Sequence, residues 1–379
     1  MIPSTREVLA DLVAFDTTSA RSNLELIAYV EAFLTRYGIA HWRAPSPDGS
    51  KAGLWATLGP EGNGGLILSG HSDCVPCTGQ SWSSDPYALV ERDGRLYARG
   101  AADMKGFVAS ALTTLARKAQ ADRGTPLHLA LSYDEELGCS GVGTLLDAVR
   151  RRGIRPAACL VGEPTSMQPV IGHKGGNGYR CTVTGFEAHS SLAPQGVNAI
   201  EYAAEIIACI RRVARDLAAG PSDSAFDIPT CTISTGLIEG GTAVNIVPNH
   251  CSFTFEFRNL IEVDPATILA PITRFVRETV EPAIQAISPA ASVTFEPVFA
   301  YPAHALADDA PILARLRNLL PGTGVSKVAY GTEAGLFQRD LGVPTIICGP
   351  GAIAQAHKPD EYVAVAQLEA CDAFLDALT

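Results

Sequence analysis

The chain has 379 residues, of which 47% are hydrophobic and 18% charged, a composition that excludes intrinsic disorder and provides for more than one domain with a large core. Its formal net charge of −11 argues against nucleic acid as the main partner, because phosphate binding needs clustered Lys and Arg. Met1–Ala20 has no basic start followed by a long apolar stretch, so no signal peptide is expected. No run approaches the roughly 18 apolar residues of a membrane span.

In chain order, Thr5 to Phe15 and Ser22 to Tyr37 carry helical apolar spacing. Gly53 to Leu58 and Gly65 to Ser69 read as short apolar strands, and Met104 to Ala119 as an Ala-rich helix. Leu127 to Tyr133 is a strand, Cys139 to Arg151 a helix, and Ala158 to Gly162 a strand. This alternation predicts an α/β domain with a mostly parallel sheet. The pattern then changes. Asn177 to Gly185 and Thr230 to Glu239 read as strands around the helix Asn198 to Leu217, followed by a long alternating strand, Asn245 to Arg258. A helix, Pro265 to Val280, and a strand, Ala291 to Pro297, complete a β-α-β-β-α-β order, that of a ferredoxin-like α+β unit. The first pattern returns with a helix over Ala310 to Leu320, a strand over Val343 to Cys348 and a helix over Val363 to Leu378. The expected organisation is one catalytic domain, residues 1–172 and 297–379, with an inserted domain at 173–296.

Acids and histidines follow the apolar runs. His71 and Asp73 come directly after Leu66-Ile67-Leu68, Glu135 and Glu136 after Leu129 to Tyr133, and Glu163 after Cys159-Leu160-Val161. His357 lies in the loop beyond Thr345 to Cys348, and Asp103 opens the helix near Met104. Open α/β sheets form their sites beyond the carboxyl ends of the strands, so these positions can converge on one edge. Each has a plain structural alternative; Asp103, for example, also reads as a helix N-cap. Together they are what a site for two divalent metals needs, with a spare acid available as a base. Zinc is the first expectation for such a nitrogen and oxygen donor set, with cobalt or manganese as alternatives. Ten cysteines are scattered, and Cys74-Val-Pro-Cys77 has redox-motif spacing. A lone motif of this kind fits reduced thiols in a cytoplasmic enzyme. A cysteine hydrolase using Cys74 would need a paired base.

At these residues the chain resembles the M20 family of metallopeptidases and deacylases. The resemblance is carried by Ser69-Gly70-His71-Ser72-Asp73, Gly100-Ala101-Ala102-Asp103-Met104-Lys105-Gly106, Asp134-Glu135-Glu136 and Gly162-Glu163-Pro164-Thr165. Val170 to Gly175, Gly331-Thr332-Glu333-Ala334, Gly349-Pro350-Gly351 and Gln355 to Tyr362 extend it towards the branch that deacylates amino acids. The resemblance implies that His71 and Glu163 bind one metal, that Glu136 and His357 bind the other, and that Asp103 bridges them. It implies Glu135 as general base and Asp73 as the carboxylate that orients His71. His189, in Glu187-Ala188-His189-Ser190-Ser191, matches a histidine that stabilises the tetrahedral intermediate, in several relatives from the other subunit of a dimer.

Arg258 and Asn245 match positions that hold a substrate carboxylate. Glu333 could pair with a substrate side-chain ammonium, or be a structural acid. Lys174 could touch substrate or only the inserted domain. That domain would act as a lid and in dimerisation, with hinges near Gly172 to Gly176 and Pro297 to Pro302. The implied activity is hydrolysis of an N-acyl amino acid, first of all N2-acetyl-L-ornithine to L-ornithine and acetate within arginine biosynthesis. Desuccinylation of succinyl-diaminopimelate, aminoacylase or dipeptidase activity, and a non-catalytic metal-binding relative are the alternatives.

Overall fold

The computed structural model describes residues 2–60, 62–120 and 124–379. The chain divides into two compact units. The first runs to His173 and resumes at His304–Val328 and Thr332–Thr379; the second is Lys174–Ala303 with Ala329–Gly331.

The first unit is built on one large sheet. Its heart is four parallel neighbours, Leu127–Ser132, Leu66–His71, Ala158–Val161 and Thr345–Ile347. Antiparallel strands flank them: Ala52–Leu58 and Ala40–Pro45 on one side, Val170–His173 and His304–Ala305 on the other. Every residue of Leu127–Ser132 is buried, as expected for parallel strands covered on both faces. The helix Lys105–Lys118 explains part of that cover. Its small residues, Gly106, Ala109, Ser110 and Ala111 among them, let it pack between the sheet and the helices Thr5–Val13 and Val365–Leu378, and Lys105 to Ala116 are all buried. Thr5–Val13 starts at a reciprocal cap, in which Ser4 Oγ accepts from the Glu7 N–H and the Glu7 carboxylate accepts from the Ser4 N–H.

Because the four central strands run in parallel, their carboxyl ends share one edge. His71 lies opposite Ser132, Ser69 opposite Val161, and Val161 opposite Ile347. The loops leaving this edge carry the acids and histidines singled out above.

The second unit is an antiparallel four-stranded sheet in the order Thr232–Gly240, His250–Asn259, Gly175–Thr184, Ser292–Tyr301. Its helices, Ala199–Ala218 and the run from Pro265 to Ile287, give the β-α-β-β-α-β order of a ferredoxin-like unit. Alternation along His250–Asn259 directs Phe253, Phe255 and Phe257 into a core shared with Ile206, Ile210 and Ile272.

Two expected boundaries differ. The alternating strand starting at Asn245 is two pieces, Ile246–Val247 and His250–Asn259, separated at Pro248, which has no N–H for a ladder. The last strand of this unit does not stop at Pro297. It continues to Tyr301 through a bulge after Pro297, which an edge strand tolerates. The second unit therefore extends to Ala303 rather than residue 296. No helix among the described residues is long and apolar enough to cross a membrane.

Candidate metal centre and active site

Five of the residues on the sheet edge form one cluster. His71, the last residue of its strand, is fully buried, and its Nε2 lies 3.1 Å from Asp103 Oδ1 and 3.8 Å from Glu163 Oε1. His357 Nε2 lies 3.3 Å from Asp103 Oδ2 and 3.0 Å from Glu136 Oε2. Asp103 thus stands between the two imidazoles, one on each carboxylate oxygen. Ligand atoms of His71, Glu135 and Glu163 come close enough to share an ion, as do those of His71, Asp103 and Glu136. Asp103 does not cap the following helix, whose cap position is Met104, with no side-chain hydrogen bond there. The alternative reading of Asp103 as an N-cap is therefore not what the structure shows.

The electrostatics of the cluster are those of a group waiting for cations. Burial, and then the charges of neighbouring acids, raises Glu163 and Glu135 well above the usual carboxylate range. Glu136 is raised by burial and by Asp103. Burial also acts to raise Asp103, but hydrogen bonds from His357 and His71 outweigh it and pull this carboxyl down. His357 is pushed up to about 10 by Asp103 and Glu136. Glu163 Oε1 is buried with no hydrogen-bond partner among the described residues. Buried carboxylates packed this densely are costly unless paired or bound to metal. The donor set of two imidazoles and several carboxylates fits divalent zinc or a similar ion.

The supporting shell differs in one respect from the expectation. Asp73 is buried, but His71 Nδ1 meets its backbone carbonyl at 2.9 Å, while Oδ1 is 3.6 Å away. The Asp73 carboxylate is engaged elsewhere: by the Glu135 N–H at 3.1 Å, the Glu136 N–H at 3.2 Å and Ser19 Oγ at 2.7 Å. Ser19 carried no sequence signal for this role. Nor did Lys51, whose ammonium pairs at 2.5 Å with Asp134, the left-handed residue that precedes Glu135.

Glu333 is 1% exposed and its carboxylate accepts from the Ser69 and Ser132 hydroxyls, under the ends of the two strands that carry His71 and the Glu135 loop. Glycine has a clear purpose beside Glu163. A Cβ on Gly162 would lie 1.9 Å from the Phe107 ring. The thiol of Cys74 is buried and pushed up to about 11, unlike an activated nucleophile, and all ten cysteines are free.

The remaining candidates belong to the second unit. His189 is exposed; its Nδ1 lies 2.8 Å from Ser191 Oγ. A two-residue bridge pairs His189 with Ile246, and the Ser190 N–H donates to the Asn245 carbonyl, so His189 and Asn245 are neighbours. Arg258 pairs with Glu256 at 2.9 Å and lies 5.6 Å from the centre of the Tyr301 ring. Lys174 is buried, and its ammonium donates to the Thr230 carbonyl at 2.6 Å.

Residues 67–379 match the model of peptidase family M20/M25/M40. An acetylornithine deacetylase of Myxococcus xanthus is 35% identical, covering 99% of this chain and 96% of its own. One from Proteus mirabilis is 34% identical over 97% of this chain and 94% of its own. Among solved structures, an M20 family metallo-carboxypeptidase from Sulfolobus solfataricus superposes with a TM-score of 0.78 at 16% identity, covering 99% of this chain and 98% of that one. A dinuclear metal-binding M20 family peptidase from Bacillus subtilis has a TM-score of 0.63 at 15% identity, covering 99% of this chain and 96% of that one. The chain belongs to peptidase family M20/M25/M40 and is a metal-dependent amidohydrolase.

Proposed function

We propose that the protein hydrolyses the amide of N2-acetyl-L-ornithine to L-ornithine and acetate, as a cytoplasmic enzyme of arginine biosynthesis with two divalent ions, zinc first among them. The observation that carries the reaction is the cluster of His71, Asp103, Glu136, Glu163 and His357 around Glu135. The substrate rests on near full-length similarity to acetylornithine deacetylases.

His71 and Glu163 are assigned to one ion, Glu136 and His357 to the other, and Asp103 to both. Bound divalent ions supply the Lewis acidity that brings a water within reach of deprotonation near neutral pH and polarises an amide carbonyl. Glu135 takes the proton of the attacking water and returns it to the leaving amine. The burial and neighbouring acids that raise its proton affinity suit a group that must hold a proton briefly. Asp73 fixes the backbone of Glu135 and Glu136, and its carbonyl orients the His71 ring. His189 is assigned as donor to the developing oxyanion, from the partner subunit of a homodimer.

Arg258 and Asn245 are assigned to the substrate carboxylate, Arg258 exchanging Glu256 for it. Glu333 and Lys174 are assigned to support rather than to substrate, because Ser69 and Ser132 take up the Glu333 carboxylate and Thr230 receives the Lys174 ammonium.

The test is amine release from a panel containing N2-acetylornithine, acetylmethionine, succinyl-diaminopimelate and a simple dipeptide, with added zinc or cobalt. Preference for acetylornithine is the expected result. Preference for another member would keep the chemistry and discard the pathway.

A further inference from the structure

Asp103 and His357 lie far apart in sequence, yet a single network, buried at Glu361 and Arg99, ties their two loops together. Glu361 and Arg99 are each 1% exposed. One oxygen of Glu361 accepts from the backbone N–H groups of Ala102 at 2.9 Å and Asp103 at 3.1 Å. The other accepts from Arg99 at 2.6 Å. The same guanidinium reaches the Lys358 carbonyl at 3.4 Å and Gln80 Oε1 at 2.5 Å. Gln80 in turn donates to the His357 carbonyl at 3.0 Å, and its own oxygen also receives the Trp82 indole N–H at 3.1 Å. Arg99 lies over the Trp82 ring at 5.0 Å.

We infer that Glu361 is a positioning residue for the metal centre: clamped by Arg99 and Gln80, it sets the Asp103 loop and the His357 loop at the spacing the second ion needs. The inference rests on the metal-hydrolase reading above. The physical argument is one of cost. A buried ion pair is poor at raising stability compared with apolar packing of the same volume, so this one is better explained by what it aims. Glu361 offers its charge to two consecutive amides, one of them that of Asp103 itself. Such bonds to a charged acceptor are short and directional. Arg99, with its planar fork, holds Glu361 and the Lys358 carbonyl through Nη1 and Gln80 through Nη2, which a lysine could not do. Without the clamp, Asp103 would keep its contact with His71 but lose its fixed relation to His357.

The experiment uses the full-length protein stripped with chelator, then titrated calorimetrically with zinc, and with cobalt to follow the visible bands of the bound ion. Glu361→Gln is compared with wild type. It keeps the shape but leaves Arg99 without its charge partner and offers one acceptor instead of two. The expected result is a loss of about 10- to 100-fold in the affinity of one of two ions, as for outer partners of metal ligands generally. The other ion should bind as before. Turnover should show a fall in kcat at unchanged KM. Gln80→Ala leaves the buried charges paired, so it folds even where Glu361→Gln does not, and it should weaken the same ion by a smaller factor. Arg99→Lys should fail to restore the site that Arg99 maintains. Wild-type affinity for both ions in folded Glu361→Gln or Gln80→Ala overturns the inference and leaves the hydrolase reading standing, as does equal weakening of both ions together with a lowered Tm, which marks a merely structural pair. Failure of the wild type to bind any metal overturns both.

Discussion

The Asp73 carboxylate accepts the backbone N–H of Glu135 at 3.1 Å, so the group expected to orient a metal ligand also anchors the loop that carries the proposed general base. Both oxygens are in use, Oδ1 on Glu135 and Oδ2 on Glu136 and Ser19. Replacing Asp73 by Ala therefore frees Glu135 and Glu136 together and leaves their half-buried amides without this acceptor. The expected outcome is a fall of about 10- to 100-fold in kcat/KM with weakened metal binding. Steady-state kinetics and a metal titration on the same preparation check it. Ser19→Ala, which removes one of the three donors, should cost much less.

Glu135→Gln separates proton transfer from metal binding. General base catalysis contributes about 10²- to 10⁴-fold, so turnover should fall by that factor. Metal stoichiometry should hold. The metal-free variant should melt at a higher temperature than the metal-free wild type, because burial and the charges of Glu136, Glu333 and Asp103 already disfavour an ionised Glu135. A lower Tm for the stripped variant would count against this electrostatic picture of the cluster.

Much of this was legible in the sequence, and the exceptions have physical causes. The position of His71, Glu135 and Glu163 at the carboxyl edge of the sheet is legible because each comes at the end of a run long and apolar enough to read as a central strand. Short strands such as Val170–His173, Ser326–Val328 and Tyr362–Ala364 span three or four residues and show no periodicity to detect. Ser19 and Lys51 act through contacts with residues 54 and 83 positions away, which local pattern does not encode. Pro297 looked like a strand end, but on an edge strand its missing N–H breaks no ladder. Glu361 lies within the stretch Gln355 to Tyr362, but only the fold shows that its carboxylate faces the Asp103 loop.

Glu163 depends on the absence of a side chain just before it. Gly162→Ala would drive a methyl into the ring of Phe107, itself buried in the central helix. Overpacking of this kind costs about 1–3 kcal/mol or more. We expect a lowered Tm together with reduced metal affinity, since the ring and the Glu163 loop must separate. Thermal unfolding with and without zinc measures both.

His128 gives the fold an acid sensitivity separate from the candidate metal ligands. It is buried beside Trp55, with Nδ1 3.0 Å from Thr57 Oγ1 and Nε2 3.3 Å from the Gly64 carbonyl, and burial lowers it to about 4. The folded protein thus holds a neutral imidazole while the unfolded chain protonates near the ordinary value of 6.5. This contribution to stability is complete above pH ~6.5 and is lost as pH falls towards ~4, by an amount on the order of 3 kcal/mol. His128→Gln, which cannot titrate, should be less stable than wild type at pH 7. The gap should narrow as the pH is lowered towards 4.5, as read by denaturant unfolding; a gap independent of pH would contradict the assignment.

The most direct test of the central claim is ornithine release from N2-acetylornithine by chelator-stripped protein as zinc or cobalt is added back. The account predicts no turnover without metal, and activity that rises with the ions bound and levels off at two per chain. Turnover by fully stripped protein, or none from folded protein carrying both ions, would contradict it.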